Sequence, residues 1–81
     1  MSKATQPITA KSIDTTAGAL IIYLGDEQVT VPWPQCSRRL AEATETERRH
    51  ARLSPGGYGI HWPMIDEDLS IGGLVEIARA G

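Results

Sequence analysis

Histidine and acidic side chains, which move protons and bind metals, lie close together near the end of this 81-residue chain. The stretch is GIHWPMIDEDLS, in which His61 precedes Asp66, Glu67 and Asp68. Imidazole and carboxylate ligands together suit several divalent metals. However, a proline separates His61 from the acids, no second histidine lies nearby, and a structural zinc site uses four nitrogen or sulfur ligands. We therefore expect no metal and no cofactor here, and we expect the stretch to build the fold.

The acidic run 66–68 is predicted to lead directly into a last helix. Acids near the N-terminus of a helix are favoured by its positive end, and Asp68 or Ser70 can accept from free backbone N–H groups at the start of a helix over residues 71–78. Apolar residues share one face of that segment despite two adjacent glycines in its first turn. The acids would then have a structural role.

The residues just before the acidic run alternate with a period of two, which predicts a strand. Trp62 would point into the core, and we expect Trp33, Tyr23 and Tyr58 to anchor the core with it. His61 would point to the opposite face, either exposed or hydrogen-bonded to an acid. An enzyme that uses His61 with Asp66 or Asp68 is the corresponding catalytic alternative.

Cysteine and arginine are the remaining residue types with chemical potential. Cys36 has no histidine three or four positions away, so we expect a buried or half-buried inert thiol. Five arginines lie between Gln35 and Arg52, interleaved with three glutamates and without an aromatic platform, which favours solvated helix faces over nucleic-acid binding. Among them we expect Arg38, Arg48 and Arg52 to form an exposed helical face that meets an acidic protein partner.

The charge balance limits the classes of partner. The net charge is −2, with five cations against three acids between Gln35 and Arg52 and three against seven elsewhere. Nucleic acids and anionic membranes are usually bound by a clustered surplus of Lys and Arg, so neither is expected as a partner. The chain has one cysteine and shows no signal peptide or membrane-spanning run, which together favour the cytoplasm.

The order of the patterns predicts a single small α+β domain over residues 11–81, preceded by a flexible tail over residues 1–10. Strand-like runs and turn formers from residue 12 to 33 predict an antiparallel meander of about three strands. Prolines at 32 and 34 would end it. Short helices follow between residues 35 and 52, interrupted where Thr44 and Glu47 form a capping-box pattern. A further strand or hairpin and the C-terminal helix complete the domain.

Three segments resemble a known family when they are taken in order. VTVPWPQCSRRLAEATETER, LSPGGYGIHWP and IDEDLSIGGL are similar to a small prokaryotic family catalogued as domain of unknown function 2442, and the likeness covers residues 20–74. The resemblance implies a compact α+β domain with no established enzymatic activity. It also implies a partner from a second small family, number 4160, often encoded alongside in a suspected toxin-antitoxin arrangement. Some members carry an added helix-turn-helix domain, for which these residues leave no room, so we expect no direct DNA role.

Residues and resemblance together favour a non-enzymatic protein-interaction module, the antitoxin-like partner of a small co-encoded protein. The alternative from another class is a phage or mobile-element inhibitor that blocks a host nucleic-acid-binding defence complex by acidic mimicry. Homo-oligomer formation stays open. The partner-binding candidates are Arg38, Arg48, Arg52, His61, Asp66, Glu67 and Asp68.

Overall fold

Two antiparallel three-stranded sheets and several helices build an α+β domain in the computed structural model, which describes residues 8–80. The strands are β1 (Ser12–Thr15), β2 (Ala19–Tyr23), β3 (Gln28–Pro32), β4 (Arg52–Leu53), β5 (Gly59–Trp62) and β6 (Glu67–Ser70). The helices are α1 (Trp33–Cys36), α2 (Arg38–Ala41), α3 (Glu45–Arg49) and α4 (Ile71–Ala80), and a 3-10 turn spans Pro55–Gly57. The predicted fold class is confirmed.

The first sheet is the predicted meander, with strand order β1-β2-β3. Leu20 and Ile22 in the central strand are fully buried, while the residues that alternate with them are half-buried, as the period of two requires. Gly25, with φ 113°, makes the turn between β2 and β3. Apolar alternation and short turns together fix the register that pairs Ile22 with Val29.

The second sheet has the order β4-β5-β6 and corrects one prediction. Two of the three acids are not part of a helix entry but of a strand: Glu67 and Asp68 belong to β6, which pairs Ile60 with Leu69 and Trp62 with Glu67 and ends where α4 begins. Asp66 closes the preceding turn in the left-handed region, at φ 53°, which Asp tolerates better than most residues. Pairing with β5 satisfies the backbone groups on that side of the strand, and this outweighs the local preference of acids for a helix N-terminus.

Three short helices, and not two, lie between the sheets in sequence. The first begins at Trp33, earlier than predicted, because proline is tolerated in a first helical turn. Ser37 Oγ accepts from the Leu40 N–H at 3.1 Å and starts α2. The predicted capping box is confirmed at α3, where the Thr44 N–H donates to Glu47 Oε1 at 2.9 Å and Thr44 Oγ1 accepts from the Glu47 N–H at 3.1 Å. The predicted helical stretch to residue 52 is too long, since Arg52 lies in β4.

The C-terminal helix joins the two sheets. Ser70 Oγ accepts from the Gly73 N–H at 3.0 Å, which confirms the predicted cap. Ile71, Leu74 and Val75 are buried on one face of α4, which packs against β3 of the first sheet and against β5 and β6 of the second. The core therefore lies where this helix meets both sheets.

The two tryptophans form the centre of the core. Trp33 and Trp62 are buried and meet edge to face, with ring centroids 6.4 Å apart. Both indole N–H groups are satisfied, since Trp33 Nε1 donates to Thr16 O and Trp62 Nε1 donates to Arg48 O. The other two rings were misassigned as core anchors. Tyr23 is half-buried, and Tyr58 is 53% exposed because it lies outside the paired strands, just after the 3-10 turn.

The beginning of the described chain is tied to the second half of the domain. Ala10 is buried, and its N–H donates to Gly57 O at 2.8 Å. Residues 1–7 of the predicted tail lie outside the described residues. Ala10, the last residue of that predicted tail, belongs to the core. No helix in the described part of the chain is long and apolar enough to span a membrane.

Candidate functional site

The outer face of the second sheet carries a polar row that runs across its three strands. Register places Arg52 of β4 beside His61 of β5, and His61 beside Asp68 of β6. Because neighbouring residues of a strand point to opposite faces, burying Ile60 and Trp62 turns these three side chains toward solvent. We call Arg52, His61 and Asp68 the polar row.

The centre of the polar row is a close contact between an imidazole and a carboxylate. His61 Nδ1 lies 2.8 Å from Asp68 Oδ1, and the two side chains are 41% and 73% exposed. This confirms the prediction that His61 is exposed or bonded to an acid, and of the two aspartates considered as its partner the structure selects Asp68. Asp66 lies instead in the turn before β6.

The His61–Asp68 pair resembles one part of a catalytic arrangement. A carboxylate that holds one ring nitrogen of a histidine orients the other, which is how a general base is positioned. Nucleophilic catalysis also needs a hydroxyl or thiol within hydrogen-bond reach of that base. Among residues 8–80, the hydrogen bonds of His61 include no hydroxyl or thiol, and no group of three or more His, Cys, Asp or Glu could hold a metal.

Arg48 has a structural position, which corrects the expectation that it lies on an exposed helical face. Its Nε donates to Leu40 O at 2.9 Å and its terminal Nη2 to Ala41 O at 2.9 Å, at the end of α2. Its guanidinium carbon lies 5.6 Å from the centre of the Trp33 ring. The half-buried side chain thus closes the core, because a planar cation can bond carbonyls at its edge and cover an aromatic ring with its face.

The predicted face of Arg38, Arg48 and Arg52 is therefore divided among three places. Arg38 is exposed on α2, Arg48 covers the core, and Arg52 belongs to the polar row. A shallow depression brings Arg38 together with Glu67, one of the candidate acids. Beside it, an Nη of Arg39 donates to Ile65 O at 3.0 Å and links α2 to the turn before β6.

Cys36 is a buried free thiol, as expected. Burial raises its pKa from 9.0 to about 12, although the nearby Arg48 acts in the opposite direction. The Sγ–H points to Val31 O at 3.7 Å. Near neutral pH the group is the protonated thiol, which is a poor nucleophile.

One apolar pocket was not predicted from the sequence. It has a volume of about 120 Å³ beside β6, and Cys36, Leu69, Leu74 and Ile77 line it together with Ser70 and Gly73. Alternation within Glu67–Ser70 could have indicated a strand there, but the acids favoured a helix approach. The pocket depends on that strand packing beside α1 and α4, which no local pattern specifies.

The comparisons with known proteins agree with the family resemblance. No curated protein and no solved structure matches the chain. A family described as protein of unknown function (DUF2442) matches residues 10–80, nearly the whole chain and the same part that forms the two sheets and α4. The chain belongs to the DUF2442 family.

Proposed function

We propose that the protein is a non-enzymatic interaction module, the antitoxin-like cytoplasmic partner of a small co-encoded protein. The observation that carries the proposal is the exposed polar row, which places a cation, an imidazole and a carboxylate on one sheet face. Opposite charges held this close together give a protein partner complementary contacts and fix its orientation.

The charges of the polar row favour a protein over a nucleic acid. A phosphate backbone is attracted by clustered cations, whereas Asp68 places a carboxylate two strands from Arg52. Three consecutive acids from Asp66 to Asp68 add further repulsion at this edge of the sheet. A protein partner can match both signs.

Acidic mimicry of a nucleic acid receives less support. Its proposed charges are Asp26, Glu27 and the run 66–68, and two of these acids already have side-chain partners within this chain. Glu27 pairs with Arg79 at 3.2 Å, and Asp68 pairs with His61. Such pairing reduces the negative field that a phosphate mimic requires.

Co-purification with the product of the neighbouring gene tests the proposal. The tagged protein should be recovered as a complex when both genes are expressed. Arg52→Glu should slow association, most strongly at low salt, because charges at the rim of an interface act mainly on the association rate. Arg49→Glu is the matched control, since Arg49 is also exposed but lies on α3 outside the polar row.

Two outcomes would contradict the proposal. One is recovery of the protein only as a monomer while the neighbouring protein is expressed. The other is salt-sensitive binding of unrelated DNA or RNA oligonucleotides, which would indicate a nucleic-acid function instead.

A further inference from the structure

The open edge of β6 lies directly beside the apolar pocket. Strand β6 pairs with β5 on one side, and no strand within the described residues pairs with its other side. Ile71 N–H donates to Tyr58 O at 2.8 Å, which fixes the alternation of bonded pairs along this hairpin. By that alternation Asp68 and Ser70 direct their backbone N–H and C=O groups away from β5. An extended chain can add to such an edge through backbone hydrogen bonds.

We propose that this edge binds an extended segment of a partner protein in which an apolar residue is followed by a basic residue. The proposal rests on the proposed interaction function and names the binding mode and the chemistry of the partner segment. Added strands gain affinity from main-chain hydrogen bonds and specificity from pockets for alternate side chains. The argument therefore depends on what each position opposite β6 would meet.

The partner residue that lies opposite Leu69 is expected to be apolar. A residue opposite Leu69 in an antiparallel added strand points to the same inner face as Leu69, toward the pocket that Leu74 and Ile77 also line. Ile77 at this pocket is 37% exposed although it is a large apolar side chain. Filling the pocket would remove that surface from water, which is the favourable term for binding.

The partner residue that lies opposite Asp68 is expected to be basic, because β6 carries acids on this part of the edge. The next residue of the added strand lies opposite Asp68 and points to the outer face, where a Lys or Arg meets the carboxylate. A second copy of this chain fits poorly, because two β6 strands would bring Glu67 and Asp68 of both copies into one short ladder. Charge thus selects a basic partner segment over self-pairing.

A short synthetic peptide tests the edge directly. The probe is acetyl-Thr-Thr-Val-Lys-Thr-Thr-amide, titrated into the isotopically labelled full chain and followed by amide NMR shifts. Shifts should concentrate at residues 68–70, 74 and 77, and the Asp68 and Ser70 amides should become protected from exchange with solvent. Replacing the peptide's Val by Ser, or its Lys by Glu, should weaken binding. Shifts that avoid β6, equal binding of all three peptides, or a dimer formed through β6 would each overturn the proposal.

A pair of matched variants separates the pocket from general surface effects. Ile77→Lys should weaken probe binding by about tenfold or more, the loss expected for one buried apolar side chain. Met64→Lys changes another exposed apolar residue, 53% exposed and located in the turn between β5 and β6, and should bind the probe as the unmodified chain does. Equal binding by both variants would contradict the assignment of the pocket.

The same variants distinguish this inference from the broader function. If the co-encoded protein binds the unmodified chain and Ile77→Lys equally well, the edge is not the binding site, although the interaction function stands. If the probe binds β6 with the expected residue preferences while the co-encoded protein does not bind, the edge assignment stands and the antitoxin-like partnership is wrong.

Discussion

At the scale of single residues, the guanidinium of Arg48 connects α3, the end of α2 and the aromatic core. The last carbonyls of a helix lack partners within the helix, and Arg48 bonds those of Leu40 and Ala41 while covering Trp33. Losing this side chain would leave two carbonyls with weaker partners and expose the ring. Arg48 is therefore a residue of the fold first, and its replacement affects stability before it affects any partner.

Arg48→Met should lower the free energy of unfolding by about 2 kcal/mol, the size expected for charge-assisted hydrogen bonds and a cation over an indole. Arg49→Met is the control, because Arg49 is the exposed neighbour on the same helix and should change stability by less than about 0.5 kcal/mol. Urea denaturation followed by tryptophan fluorescence measures both. Equal values for the two variants would contradict the structural role of Arg48.

The buried thiol of Cys36 makes the free energy of unfolding depend on pH in the alkaline range. Burial raises its pKa from 9.0 in the unfolded chain to about 12 in the folded protein, so between these values the unfolded chain loses a proton that the folded protein keeps. This contribution is complete below pH 9 and declines as the pH rises toward 12. The stability advantage of the unmodified chain over Cys36→Ala should therefore shrink between pH 8 and pH 10.5 in urea denaturation. A constant difference across this range would show that the thiol does not titrate as described.

At the scale of elements, α3 depends on its cap more than on burial. It spans five residues and buries none of them completely, yet it positions Arg48, whose carbonyl accepts from Trp62 Nε1. Thr44→Ala removes half of the capping box and should cost about 1 kcal/mol. Thr46→Ala is the matched control, since Thr46 is exposed in the same helix and its hydroxyl makes no hydrogen bond in the described structure. Thermal melts that shift equally for both variants would argue against the cap.

Features that are determined by residues a few positions apart were predictable from sequence. The Thr44 capping box and the Ser70 cap each depend on residues three positions apart, and both occur as predicted. Alternation likewise located β3 and β5, because burial of one strand face repeats every second residue. The polar row follows in part from this, since burial of Trp62 turns His61 outward.

Features that are determined by contacts between residues far apart in sequence were not predictable. Asp66 to Asp68 form a turn and strand because β5 offers a partner, and that pairing outweighs the helix preference of the acids. Arg48 looks solvated in sequence because its partners are backbone carbonyls, which every residue carries. The pocket beside β6 needs three elements together, so neither it nor the open edge could be located from any single segment.

At the scale of the whole molecule, Trp62 connects the second sheet to the helices through its contacts with Trp33 and Arg48. It is fully buried, meets Trp33 edge to face and donates to Arg48 O at 3.1 Å. Trp62→Ala should destabilise the domain by about 3–5 kcal/mol, a large part of the total for a chain of this size. Tyr58→Ala is the aromatic control and should cost little, because that ring is mostly exposed. Calorimetry that finds a cooperative transition near the original temperature for Trp62→Ala would contradict this role.

The contact between Gly57 and Ala10 has a consequence for the order in which the domain assembles. Gly57 has φ 78°, and a Cβ added there would clash with Ala10 O, so only glycine allows the two backbones to meet. The next amide, Lys11 N–H, donates to Tyr23 O in the first sheet. Ala10 and Lys11 thus form a seam that is bonded to the second half of the chain through Gly57 and to the first sheet through Tyr23. Contacts between residues so far apart in sequence pay a loop-closure cost and are expected to form after the local hairpins. Gly57→Ala should therefore accelerate unfolding in stopped-flow measurements while leaving the folding rate nearly unchanged, which would place this seam on the native side of the folding barrier.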